Sequence, residues 1–229
     1  MARLADRLKR PLLVLADSYE QAESIKQDLG FFTHPETIGF FPQWDVLPFD
    51  NQSPGKEALA TRFEALDAIL SQTSSITVST PNAVMQYLMP VELFVSRSFN
   101  LEPGSVYKRQ DLLRRLVENG YVRVEMVEER GEFSVRGEIV DLFPPTEAEP
   151  LRLDFFDDEL ESIRRFDLDT QRSKGTVEQV RVLPAQEVLV TEASAAKAAE
   201  RLIQYKANTV PQTYNYFLEQ IQNGAGFSG

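Results

Sequence analysis

The spacing of the hydrophobic residues changes near Met89 and Pro90, and this change constrains the fold more than any other feature of the sequence. Before it, short apolar runs alternate with amphipathic helical stretches up to about Val95, an order typical of a parallel sheet covered by helices. After it, residues 121–190 contain apolar runs separated by turn residues, as in an antiparallel sheet. The helical spacing returns at Thr191. A chain of 229 residues has room for two such domains.

The first region has a readable order of strands and helices. Leu12–Leu15 is continuously apolar, which predicts a strand covered on both faces. Ser18, followed three residues later by Gln21, predicts a capping box for a helix that runs to Gly30. Further strands are predicted at 37–41 and 75–79, and further helices after Ser53 and Thr80, the former with an apolar stripe of Leu59, Phe63, Leu66 and Leu70.

The second region contains one helix among several strands. The helix is predicted at 110–118, where Asn119 and Gly120 end it. The predicted strands lie at 121–128, 132–143, 151–156, 161–166 and 177–183, and two helices follow, one ending near Ala207 and one at 211–222. This arrangement predicts an α+β domain with an antiparallel sheet.

The composition disfavours several classes of protein. The formal net charge of −11 repels a phosphate backbone, so general binding of duplex DNA is disfavoured. The absence of cysteine excludes disulfides and thiolate metal sites, and there is one histidine, His34. No apolar run reaches the roughly 20 residues of a membrane helix, and the run from Pro11 to Ala16 is too short for a signal peptide. We therefore expect a cytoplasmic protein without a metal.

No motif in the sequence predicts catalysis or nucleotide binding. A phosphate-binding loop has the pattern G-x-x-x-x-G-K-[ST], but the Gly-Lys pair at 55–56 has Asp50 and Glu57 where the pattern needs a glycine and a hydroxyl residue. The glycines at 224, 226 and 229 follow a predicted helix, whereas a dinucleotide-binding loop follows a strand. We expect no cofactor and no catalytic residue.

Two charged clusters each have two interpretations. The carboxylates at 157–161 follow an apolar strand and are either a hairpin turn or a metal-binding strand end. Four cations lie on or beside the helix at 110–118 and are either a nucleic-acid surface or a solvated helix face. These cations are Lys108, Arg109, Arg114 and Arg115.

Strand alternation brings an unusual set of side chains together. In the strand at 151–156, Arg152 and Phe156 lie on the face opposite the leucines. In the strand around 133–138, Arg136 also points outward, and Gly137 predicts a bulge. Two arginines and an aromatic ring projecting into solvent have the composition of a protein-binding hot spot. The alternative is that the helix at 110–118 covers this face and Phe156 belongs to the core.

These same residues resemble a known family. The segments 131–144 (GEFSVRGEIVDLFP) and 152–159 (RLDFFDDE), followed by 162–167 (SIRRFD), 170–173 (TQRS) and 183–185 (LPA), resemble the UvrB-homology module at the N-terminus of the bacterial transcription-repair coupling factors (Mfd). The first region carries further matches at 41–42, Trp44, 47–48, 53–54 and 88–90. UvrB itself is similar in the second region, but it has an intact phosphate-binding loop and a long aromatic hairpin that this sequence lacks.

The resemblance implies a fold and a domain organisation. The fold is a degenerate RecA-like α/β domain whose parallel sheet is interrupted by an inserted α+β domain. Residues 1–95 form the first part, residues 96–190 the insertion, and residues 191–229 a helical return to the first domain. The abrupt end of the sequence predicts a fragment of a longer protein.

The resemblance also implies a function. The module is non-catalytic and recruits the excision-repair protein UvrA through Arg136, Arg152 and Phe156, in transcription-coupled nucleotide excision repair. RNA polymerase and DNA are bound by other parts of the family's protein, which is an ATP-dependent DNA translocase, and another domain masks the UvrA-binding face. The alternative function is a nucleotide- or DNA-binding domain of a UvrB-like helicase ATPase.

Overall fold

A computed structural model describes residues 10–46, 54–189, 192–206 and 210–222, together with residues 5 and 7. The chain forms two compact units. Unit 1 contains Met1–Leu47 and Pro54–Leu88, and unit 2 contains Pro48–Ser53 and Met89–Gly229. The boundary at Met89 coincides with the change in hydrophobic spacing. The finer division into a split first domain, an insertion at 96–190 and a helical return stays a prediction.

Unit 1 is built on a parallel sheet, as the alternation of strands and helices predicts. Its strands are β1 (Leu12–Leu15), β2 (Ile38–Phe41) and β3 (Ile76–Ser79), and its helices are α1 (Tyr19–Gly30), α2 (Lys56–Leu70) and α3 (Pro81–Val84). The strand order is β1-β3-β2, and both pairs are parallel. An α/β fold with a parallel sheet is therefore confirmed.

Side-chain caps fix two of these helices where the sequence predicts them. The Ser18 hydroxyl accepts a hydrogen bond from the Gln21 amide at 3.2 Å, and the Gln21 side chain accepts one from the Asp17 amide at 2.7 Å. At α3, the Thr80 hydroxyl accepts a hydrogen bond from the Ala83 amide at 3.3 Å. The sequence predicts that this helix runs from Asn82 to Met89, whereas in the structure it begins at Pro81 and ends at Val84.

Two expectations for unit 1 are wrong. The strand β1 is not covered on both faces, because Leu13 and Leu15 are 57% and 50% exposed. It lies at the edge of the sheet, whereas α2 packs on β2 at the opposite edge. The second wrong expectation is that the apolar stripe of α2 extends to Leu70. Phe63 of this stripe is buried, but Leu70 is 37% exposed. Ser53, the predicted cap of this helix, lies outside the described residues, as do the glycines at 224, 226 and 229.

Unit 2 is built on a six-stranded sheet in the order β10-β9-β8-β7-β6-β5. Only β5 and β6 of these pairs run parallel; the other pairs are antiparallel, and β11 pairs separately with β4. The strands are β4 (Phe99–Leu101), β5 (Val122–Arg123), β6 (Glu132–Arg136), β7 (Ile139–Leu142), β8 (Leu151–Phe156), β9 (Glu159–Phe166), β10 (Ser173–Thr176) and β11 (Val180–Val182). The helices are α4 (Val91–Arg97), α5 (Arg109–Glu118), α6 (Glu192–Ile203) and α7 (Pro211–Gln222).

The predicted strand at 132–143 is a hairpin of two strands. Arg136 pairs with Ile139 across a two-residue turn, and Gly137 stands in it with a φ of +61°. A positive φ at the first central position suits such a turn, and glycine adopts it without strain. The predicted bulge at Gly137 is therefore wrong. The predicted turn at Asp157 and Asp158 is confirmed, since Phe156 pairs with Glu159 across it.

The two faces of this sheet differ in what covers them. We call the face that packs on α5 the inner face, where Leu112 and Leu116 join side chains such as Leu153 and Ile163 in the main core. We call the opposite face the outer face. A smaller cluster covers one end of the outer face and contains Val127, Phe143 and Phe166, with Val124 and Leu168 at its border. The rest of the outer face is the region that holds the candidate site.

Among the described residues, no helix combines the length and apolar character needed to cross a bilayer.

Replacing Gly120 with alanine should lower the free energy of unfolding by about 1–2 kcal/mol, the approximate cost of a left-handed backbone for a residue with a side chain. Gly120 ends α5 with a φ of +84°, and an added Cβ would lie 3.0 Å from Cγ of Gln186. Gly175→Ala is the control, because Gly175 has no such φ and an added Cβ would meet nothing within 4 Å. Urea unfolding measures both variants, and equal losses would contradict the prediction.

Candidate partner-binding face

Strand register brings the three predicted site residues to the outer face. Arg136 on β6 is in one cross-strand row with Ile139 on β7 and Asp154 on β8. Arg152 and Phe156 lie two residues to either side of Asp154 on the same strand, so they share its face. The helix α5 packs on the inner face, and Phe156 is 66% exposed. The alternative in which α5 covers Phe156 as part of the core is therefore wrong.

A buried carboxylate lies at the centre of this face. Asp141 on β7 pairs with Arg152 on β8, and only 2% of its side chain is exposed. Its Oδ1 accepts a hydrogen bond from Nε of Arg152 at 2.7 Å, and its Oδ2 accepts one from Nη2 of Arg152 at 2.9 Å. Nη2 of Arg136 donates to the same Oδ2 at 2.6 Å. Three charge-assisted hydrogen bonds thus compensate for the burial of the charge.

Arg152 lies on the outer face, but its side chain does not project into solvent, so that part of the prediction is wrong. Only 12% of its side chain is exposed, and its Nη1 donates to the backbone carbonyl of Gln171 at 3.1 Å. Its guanidinium lies 4.6 Å from the centre of the Phe166 ring. The hydrogen bonds to Asp141 raise the pKa of Arg152. The carboxylate on the neighbouring strand draws this side chain down onto the sheet.

Arg136 and Phe156 are the accessible members of the set. Half of the Arg136 side chain is exposed, and one of its nitrogens is bound to Asp141. Phe156 is the last residue of β8, directly before the turn at Asp157 and Asp158. The outer face therefore exposes one aromatic ring and one half-exposed guanidinium.

A second ion pair lies beside the first on the outer face. Oδ2 of Asp154 accepts hydrogen bonds from Nη2 of Arg164 at 2.5 Å and from the hydroxyl of Ser162 at 2.8 Å. Sequence reasoning did not single out Asp141 or Arg164. Asp141 carried one usable signal, since a lone carboxylate in the apolar run from Ile139 to Phe143 needs a partner. Which arginine supplies it depends on strand register.

The basic residues near α5 are largely engaged within the chain. The Arg109 amide donates to Asp158 at 3.1 Å, while its guanidinium donates to the Gly137 carbonyl and to Glu138. Arg109 thereby connects the two turns nearest Phe156. Arg114 forms an ion pair with Asp111 at 2.9 Å. The guanidinium of Arg115 lies 4.0 Å from the centre of the Phe99 ring. These contacts favour a structural role over a nucleic-acid surface.

The carboxylate-rich segment at 157–161 forms a hairpin turn and the start of β9. In the part of the chain that the structure describes, no group of three or more histidine, cysteine, aspartate or glutamate side chains is arranged to hold a metal ion. In unit 1, Asp45 accepts a hydrogen bond from the Gly55 amide at 2.9 Å, directly before α2. Asp50, the departure from the phosphate-loop pattern, lies outside the described residues.

The strands of this face lie in a part of the chain that matches a known protein family. Residues 99–188 match a family described as the UvrB interaction domain. Over 203 residues the chain is 34% identical to a transcription-repair-coupling factor of Staphylococcus aureus (strain USA300), an alignment that covers 88% of this chain and 17% of that protein. The corresponding protein of Bacillus subtilis (strain 168) is 30% identical over 199 residues, covering 87% of this chain and 17% of that protein.

A third relative extends the match to nearly the whole chain. The transcription-repair-coupling factor of Myxococcus xanthus is 34% identical over 233 residues, covering 98% of this chain and 19% of that protein. The chain thus spans less than a fifth of the length of these relatives.

Replacing Arg152 with alanine should lower the free energy of unfolding by about 3 kcal/mol, because Asp141 would remain buried with two of its three hydrogen bonds lost. Arg136→Ala is the matched control. It removes one hydrogen bond made by a half-exposed side chain, so it should cost less than about 1 kcal/mol. Urea unfolding followed by circular dichroism measures both. If Arg136→Ala proved the more costly change, Arg152 would not be the main support of Asp141.

Proposed function

We propose that this protein recruits UvrA through the outer face of unit 2. Residues 99–188 match the UvrB interaction domain family, and most of the chain is similar to transcription-repair-coupling factors. The proposed binding residues are Arg136, Arg152 and Phe156. In this role the chain links transcription to nucleotide excision repair. We place this activity in the cytoplasm.

The observation that carries the proposal is the exposed ring of Phe156 on the same face of the sheet as Arg136. A phenylalanine that is 66% exposed at the end of a strand contributes little to the core. Aromatic and arginine side chains dominate the binding energy of many protein interfaces, particularly near the centre of the contact. Because the ring and the guanidinium both stand on a hydrogen-bonded sheet, a partner need not order a loop to bind them.

We further propose that the chain is an adaptor without catalytic activity or a bound cofactor. The contact between Asp45 and the Gly55 amide supports this, because it places a carboxylate at the start of α2, where a phosphate-binding loop would hold a phosphate. Binding of RNA polymerase and translocation on DNA would then belong to parts of the longer relatives that lie outside this chain.

Phe156→Ala should weaken binding of UvrA by about 2 kcal/mol or more, a factor of roughly 30 in Kd, because it removes the exposed ring. Phe32→Ala is the control, since Phe32 is also a largely exposed phenylalanine, at 79%, but lies in unit 1. Calorimetric titration of the purified chain with UvrA measures both affinities. An unchanged Kd for a folded Phe156→Ala variant would reject this face, and ATP turnover by the purified chain would contradict the adaptor role.

A further inference from the structure

We propose that Asp141 is a positioning residue for partner binding, which fixes the direction of the Arg136 guanidinium with Arg152 as its clamp. The inference rests on the proposed function. It divides the three site residues into two that contact the partner, Arg136 and Phe156, and one that acts through Asp141.

Few N–H donors of Arg152 remain available to a partner. Its Nε and Nη2 donate to the two oxygens of Asp141, and its Nη1 donates to the Gln171 carbonyl. The guanidinium of Arg152 packs on the ring of Phe166, and only 12% of the Arg152 side chain is exposed. With all three nitrogens engaged inside the chain, its role is to hold the carboxylate.

Asp141 in turn holds the guanidinium of Arg136. The carboxylate is gripped by Arg152 through both oxygens, so its plane is set before Arg136 is considered. One nitrogen of Arg136 then donates to Oδ2 at 2.6 Å. Because a guanidinium is planar and rigid, this contact orients the remaining N–H donors of the half-exposed side chain.

The orientation of Arg136 determines which chemical group of a partner fits it best. Oriented N–H donors of a guanidinium bind best to a pair of acceptor oxygens, as in a carboxylate. The proposal therefore predicts an acidic side chain on the partner opposite Arg136, next to an apolar depression for Phe156. A guanidinium free to rotate would lose this geometric selectivity.

A double-mutant cycle tests the positioning role. Asp141→Asn keeps the shape of the side chain and removes its charge, and it should weaken UvrA binding about tenfold in the wild-type background. In the Arg136→Ala background the same change should weaken binding less than about twofold, because the oriented group is gone. In the Phe156→Ala background the full tenfold loss should remain, since no contact joins Phe156 to Asp141. Equal losses in all three backgrounds would show a general folding defect and overturn the proposal.

Arg136→Lys provides a second test that does not disturb the buried pair. Lysine keeps the positive charge but lacks the planar fork, and the Arg152 hydrogen bonds to Asp141 remain. If orientation matters, Arg136→Lys should lose nearly as much affinity as Arg136→Ala, within about threefold. Wild-type affinity for Arg136→Lys would show that a point charge is enough and would overturn the proposal.

A measurement without a partner separates this inference from the proposed function. In nitrogen-15 NMR of the full chain, the guanidinium signals of Arg136 should show restricted rotation, which Asp141→Asn should release. Averaged Arg136 signals in the wild-type chain would overturn the positioning role, whatever the UvrA titration shows. Restricted signals combined with an unchanged affinity of Phe156→Ala and Arg136→Ala would support the positioning role while rejecting UvrA as the partner at this face.

Discussion

The outer face of unit 2 depends on one buried charge and the groups that compensate for it. A carboxylate that is 2% exposed is tolerated in a sheet only if hydrogen bonds replace its lost hydration. Asp141 receives three such bonds from Arg136 and Arg152 on the two neighbouring strands. The stacking of Arg152 on Phe166 extends the arrangement into the smaller apolar cluster. The burial of Asp141, the packing of Arg152 on Phe166 and the direction of Arg136 therefore depend on one another.

The two faces of the sheet differ in their tasks, because the inner face carries the main core and the outer face carries the proposed binding residues. The inner face carries the main core against α5, so the outer face is free to present polar and aromatic groups. Arg109 connects the two faces indirectly, because it leaves the start of α5 and reaches the turns at Gly137 and Asp158. The strand that ends at Phe156 is thereby supported at its tip as well as along its length. If this face binds a partner as proposed, its surface is organised before the partner arrives.

The sequence predicts which side chains of one strand share a face, but it does not predict which residues pair between neighbouring strands. Alternation in β8 correctly placed Arg152 and Phe156 on one face, because that depends only on the twofold repeat of a strand. The burial of Arg152 was missed, since it depends on the register that sets Asp141 beside it. The sequence predicts a bulge at Gly137, whereas the pairing of Arg136 with Ile139 makes this glycine part of a turn. The proposed contacts with UvrA remain a prediction of the family resemblance.

The open edge of unit 1 has a practical consequence for handling this chain. The strand β1 has a single neighbour within the described sheet, and its two leucines that face away from the α1 side are about half exposed. Edges of this type present backbone groups in register for another chain, and apolar side chains next to them strengthen such pairing. We therefore expect the purified chain to self-associate through this edge as its concentration rises.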